Sequence, residues 1–143
     1  MTCTSATLSQ LPDTRPALRG DGAWTSVRIL VVDDHRNTLI AMSIGLRRSG
    51  HATDTAGSAD GAFELLGAHS FDCVVCDVRM QPVAGLELAL AIRKQWPSLP
   101  IVFMTAYHLS AAEKALANEL GAPCLLKPIR VEALLDMIQT VTR

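Results

Sequence analysis

The sequence predicts an α/β protein: a doubly wound parallel sheet of five strands, built as a (βα)5 chain. Three observations carry this. From Val27 onward, five short apolar or β-branched runs recur along the chain. Stretches of helical period separate them. Three of the five runs are apolar almost throughout, as strands covered by helices on both faces should be.

In order, the runs are VRILVVDD (27–34), HATDTA (51–56), FDCVVCD (71–77), LPIVFMT (99–105) and APCLLK (122–127). HATDTA is short and polar, which suits an edge strand. In the first helix Leu39, Ser43 and Leu46 are expected to share the inward face with Ile40 and Ile44. Ser58 is a suitable N-cap for the second helix, 59–68, which should end near Gly67. Leu86, Ala89, Leu90 and Ile92 should face inward in the third, closed off by Pro97. Ser110 should cap the fourth, with Ala112, Ala115, Leu116 and Leu120 inside and Gly121 as its stop. Val131, Leu134, Leu135 and Ile138 mark a fifth helix that runs almost to the last residue.

The bulk properties restrict the function. With 143 residues the chain is one domain's worth and can bury a real core. A net charge of −1 gives no basis for electrostatic capture by nucleic acid or an anionic membrane. No apolar run approaches the ~18 residues of a membrane span. The N-terminus lacks the basic start and apolar centre of a secretory signal. Residues 1–26, rich in Thr, Ser, Pro and Gly, read as a flexible tail ahead of a domain at 27–143. A cytoplasmic location with reduced cysteines is the expectation.

Cys73 and Cys76 have the spacing of a redox or zinc pair, yet they sit inside a strand-like run. Strand side chains alternate faces, so residues three apart point to opposite sides of the sheet. Neither a disulfide nor one zinc ion can join them there. Both are expected to be buried core thiols.

The residues at the ends of the runs tell another story. The first run ends in Asp33-Asp34, the third in Asp77, the fourth in Thr105 and the fifth in Lys127. A parallel sheet sets them all along its carboxyl edge, where open α/β sheets bind ligands. Carboxylates gathered so closely raise one another's pKa unless a cation intervenes. Hard oxygen ligands with room for water and phosphate suit Mg²⁺, and an ammonium and a hydroxyl suit phosphoryl oxygens. Each residue alone has an ordinary reading: a turn-capping Asp, a solvated Lys, a β-branched strand Thr. The agreement of four strand ends points to a site.

ILVVDD, VVCDVRM followed by GLEL, IVFMTAY and GAPCLLKPI, in this order and spacing, resemble the receiver domain of bacterial two-component response regulators. The resemblance covers 27–143 and implies a flavodoxin-like strand order 2-1-3-4-5. It implies that Asp77 accepts a phosphoryl group from a histidine kinase or histidine phosphotransfer protein. It implies Mg²⁺ held by Asp34, Asp77 and the Arg79 carbonyl, with Asp33 acting largely through water. Lys127 would pair with the phosphoryl oxygens, and Thr105 would bond to one of them and move when it appears. The Lys127-Pro128 bond is cis in many such domains. The output would be a switched protein contact through the face formed by α4, β5 and α5, with a homodimer as an open alternative. Such a domain is not an enzyme beyond its own phosphorylation and dephosphorylation. The competing readings are a phosphate-independent interaction module and, more remotely, a Mg²⁺-dependent phosphohydrolase.

Four departures from that family's pattern matter. Gln81 stands where Pro is usual, with Pro82 one later, and Ala84 precedes the loop glycine Gly85. Cys124 stands where an aromatic usually rotates inward with the threonine. Tyr107, the only tyrosine, is expected to take part of that coupling role or else to shield the phosphate. Arg79 and Tyr107 occupy the positions that tune dephosphorylation, and their bulk predicts a long-lived phosphorylated state.

Overall fold

A computed structural model describes residues 26–80 and 83–142. Strand and helix alternate along the described residues: β1 (Arg28–Val32), α1 (Arg36–Arg48), β2 (Ala52–Ala56), α2 (Ala59–Ala68), β3 (Cys73–Asp77), α3 (Gly85–Gln95), β4 (Ile101–Thr105), α4 (Ala111–Leu120), β5 (Cys124–Leu126) and α5 (Val131–Thr142). The strands form one sheet in the order β2-β1-β3-β4-β5, every pair parallel. The polar run is indeed an edge strand. Of the expected tail, only Ser26 is described, and it is buried; Gln81 and Pro82 also lie outside the described residues.

Alternation on the three central strands builds two cores. Ile29, Val31, Cys73, Val75, Val102 and Met104 face one side, where Leu46 of α1 and Leu134 and Ile138 of α5 cover them. Leu30, Val32, Val74, Cys76, Ile101 and Phe103 face the other, under α2, α3 and α4. Removing each such Val, Leu, Ile or Phe from water favours folding by roughly 1.5–3 kcal/mol, as an upper estimate. Cys73 and Cys76 therefore fall in opposite cores. Burial raises the Cys73 thiol to about 12 and raises Cys76 as well, with Asp72 and Asp77 adding to the respective shifts. Both are the buried core thiols that strand alternation leads one to expect.

The helix ends follow the sequence. Ser58 Oγ accepts from Gly61 N–H at 3.1 Å. Ser110 and Glu113 form a reciprocal capping box, and Gly121 closes α4 in the left-handed region at φ 67°. The inward faces need correction. Ile40 and Ile44 are 46% and 48% exposed, and α1 buries Met42 alongside Leu46, which was expected inside. Leu90 is 39% exposed, while Leu88, Ala89 and Ile92 go inward. On α4, Ala112 and Ala115 are exposed and Ala117 is buried with Leu120. Apolar residues spread over more than one arc of each helix, and docking against the sheet selects the arc. On α1 the choice also reflects Gly45, where an added Cβ would lie 2.4 Å from Val131 Cγ2 of α5.

Candidate functional site

Register assembles the site. Val32 pairs with Cys76, so the next residues, Asp33 and Asp77, emerge side by side at the carboxyl edge of β1 and β3. Thr105 ends β4 beside them, and Lys127 N–H donates to Thr105 O at 2.7 Å just past β5. The Lys127-Pro128 peptide is cis. All five strand-end residues singled out by the sequence thus lie along one edge. Asp33, Asp77 and Thr105 are buried, whereas Asp34 is exposed at the mouth.

The charges are unequally shared. Lys127 Nζ lies 2.6 Å from Asp33 Oδ2 and 3.5 Å from Asp77 Oδ2. Burial pushes the Asp33 carboxyl up, but the Lys127 bond, the His35 N–H and the Lys127 charge together hold it below the usual carboxylate range. Asp77 goes the other way: burial and the Asp33 charge raise it, only partly offset by Lys127 and the Arg79 N–H. Burial would depress Lys127, yet its bond to Asp33 and the two carboxylate charges keep it raised and cationic. The result is a carboxylate, Asp77, set beside a fixed cation, with its own charge still poorly compensated.

Ligand atoms of Asp33, Asp34, His35 and Asp77 all lie within 4.8 Å of one another. Two carboxylates that repel, joined by a third at the mouth, form a donor set that could hold a hard cation. His35 is a member the sequence reading missed. Its Nδ1 is 3.1 Å from Asp33 Oδ1 and 3.1 Å from Asp34 Oδ1. The signal available was its place directly after the acid pair and ahead of α1.

Two loops cover the edge. Arg79 N–H donates to Asp77 Oδ1 at 3.3 Å, and its guanidinium pairs with Glu113 at 3.0 Å. The same guanidinium stacks over the Tyr107 ring, 5.5 Å from its centroid. Thr105 Oγ1 accepts from Tyr107 N–H at 3.1 Å and donates to Tyr107 O at 3.0 Å, so the hydroxyl is engaged with its own loop. Tyr107 is 63% exposed. Beside it runs a groove of about 270 Å³ lined by Tyr107, Leu109, Ala117, Cys124 and Leu126. Glu113, which ties these loops together, could not be found from spacing because it meets Arg79 only across the fold.

A family model described as the response regulator receiver domain matches residues 29–139. Response regulator protein FleR of Pseudomonas aeruginosa is 34% identical over 113 residues, covering 79% of this chain and 24% of FleR. Response regulator MprA of Mycobacterium tuberculosis is 33% identical over 119 residues, covering 82% of this chain and 51% of MprA. The chain thus spans about a quarter to a half of the length of these curated relatives. Chemotaxis protein CheY4 of Vibrio cholerae superposes with a TM-score of 0.76 at 29% identity, covering 81% of this chain and 98% of that one. Response regulator protein TrrA of Thermotoga maritima, solved in complex with Mg²⁺-BeF, gives 0.71 at 29% identity over 80% of this chain and 97% of that one. A strand order of 2-1-3-4-5, an acid-lined carboxyl edge and a family match over most of the chain agree: this chain belongs to the response regulator receiver domain family.

Proposed function

We infer that this chain is switched by phosphorylation of Asp77. The observation that carries the reading is the Lys127 ammonium set between Asp33 and Asp77, with Asp77 the less compensated of the two acids. One Asp77 carboxylate oxygen bonds to phosphorus as the phosphorus–nitrogen bond to a donor phosphohistidine breaks. The imidazole nitrogen keeps the electron pair and takes a proton, and an aspartyl phosphate remains. Lys127 faces the oxygens where charge gathers during in-line transfer. Thr105 exchanges its bonds with Tyr107 for one to the new phosphoryl group.

Asp34, Asp77 and the Arg79 carbonyl would hold Mg²⁺, with Asp33 acting through water. The ion would supply neutralisation of phosphoryl charge. The donor is a sensor histidine kinase or a histidine phosphotransfer protein, in the cytoplasm. The output is a protein partner, or a second copy of the chain, met through α4, β5 and α5, where Leu126 is exposed beside the groove. The domain turns over no external substrate and contacts no nucleic acid. The bulk of Arg79 and Tyr107 around the acceptor favours an aspartyl phosphate that outlasts seconds.

Intact mass after incubation with acetyl phosphate and Mg²⁺ tests this. A single labile adduct that needs the metal and disappears in Asp77→Asn is the expected result. A folded, unmodified protein under excess Mg²⁺ would move the reading to a phosphate-independent module. Sustained hydrolysis of a generic phosphate ester would favour a phosphohydrolase.

A further inference from the structure

Arg79 joins the acceptor loop to the start of α4. Its guanidinium is 3.0 Å from Glu113 Oε1, the same oxygen that accepts from Ser110 N–H at 2.8 Å in the capping box. Its backbone N–H meets Asp77 Oδ1, so this long side chain pivots from directly beside the acceptor. The ring under the guanidinium belongs to Tyr107, whose backbone is held by Thr105. One residue therefore links Asp77, through its backbone, with the Thr105 loop and the first turn of α4, through its guanidinium.

Phosphorylation changes what that cation faces. Glu113 carries a single charge already shared with Ser110 N–H, and the pair with Arg79 is 48% and 22% exposed. A phosphoryl group brings roughly −2 and several acceptor oxygens. It sits deeper, where charge interactions are less screened, and it suits bidentate binding by a guanidinium. The two acceptors compete for one guanidinium, and the phosphoryl group is the stronger.

We propose that Arg79 is a charge latch: bound to Glu113 it holds the start of α4 against the acceptor loop, and drawn to a phosphorylated Asp77 it releases α4 and Tyr107. This rests on reading Asp77 as the phosphoacceptor. It also gives the chain a route for coupling that needs no aromatic ring at Cys124, because the signal passes as charge rather than ring burial.

Equilibrium titration of beryllofluoride with Mg²⁺, a phosphoryl mimic, tests the latch in wild type, Glu113→Gln, Arg79→Gln and the double variant. Gln at this position preserves the capping box while removing the competing charge. Glu113→Gln is expected to tighten binding about 1.5- to 5-fold, the range available to an exposed ion pair, and Arg79→Gln to weaken it. In the Arg79→Gln background, Glu113→Gln should have no further effect. Amide exchange at Glu113 and Lys114 should also quicken in metal-free Arg79→Gln. Equal effects of Glu113→Gln in both backgrounds, or unchanged exchange, would overturn the latch while leaving the receiver reading intact. A wild type that binds no beryllofluoride and gains no labile adduct would overturn both.

Discussion

The Lys127 ammonium is bonded to Asp33 at 2.6 Å, and Asp33 has no solvent exposure. The pair joins residues 94 apart in sequence, from the ends of β1 and β5, and so closes the carboxyl edge across the intervening β3 and β4. Lys127 therefore ties the end of β5 to the end of β1 as well as facing Asp77.

Lys127→Met should lower stability by about 3 kcal/mol, because it leaves Asp33 buried without its cation. Urea unfolding at pH 7 without metal measures this. The folded Asp33 carboxyl is depressed, so the pair's contribution is present above the unfolded carboxylate range and lost as pH falls through the lower folded value. The gap between wild type and variant should narrow on acidification. A loss under about 0.5 kcal/mol, the scale of ordinary surface changes, would show that Asp33 is compensated otherwise.

Asp77→Asn should instead raise the urea midpoint of the metal-free protein at pH 7. Burial and Asp33 raise the folded Asp77 pKa above its unfolded value, so the ionised form opposes folding at neutral pH. That opposition fades as pH falls through the raised value, and the variant's advantage should fade with it. A destabilised variant would contradict the assigned direction.

His51 supplies a third pH dependence. Its Nδ1 accepts from Val27 N–H at 3.1 Å, and burial lowers its pKa from 6.5. The neutral ring is the folded form, so stability should fall as pH drops below 6.5 and level off below the folded value. His51→Gln keeps an acceptor that does not titrate, and should flatten the stability profile between pH 7 and 5. An unchanged slope would assign the dependence elsewhere.

Gly85 and Gly67 should respond oppositely to alanine. An added Cβ at Gly85 would lie 1.8 Å from the Asp77 carbonyl oxygen, so Gly85→Ala must displace the backbone of Asp77. A loss of about 3 kcal/mol is expected, with a fall in phosphorylation rate. At Gly67, inside α2, nothing lies within 4 Å; Gly67→Ala should gain up to about 1 kcal/mol from helix propensity. Thermal or urea unfolding of the two variants reads both signs.

Most of the site was legible because its residues terminate strands. Once the alternation of runs implies a parallel sheet, strand ends must share an edge, and Asp33, Asp34, Asp77, Thr105 and Lys127 follow. The cysteine pair was legible for the same reason, since strand alternation alone separates Cys73 from Cys76. Helix faces were less so. Ile40, Ile44, Leu90, Ala112 and Ala115 have the right period, but period leaves the rotation of a helix about its axis open. Glu113 went unread because it meets Arg79 only across the fold, whereas His35 is a neighbour of Asp33 and Asp34 in sequence and was marked only by its place directly after them.

By itself, then, the sequence determined the order of elements, the edge at which the polar groups gather and the caps of α2 and α4, all set by local periodicity and backbone preference. Only the tertiary structure decided which arc of each helix is buried, how Lys127 divides itself between two acids and that Arg79 reaches Glu113. Those outcomes depend on distances between segments far apart in sequence, where packing and unequal desolvation choose among partners that are chemically equivalent on paper.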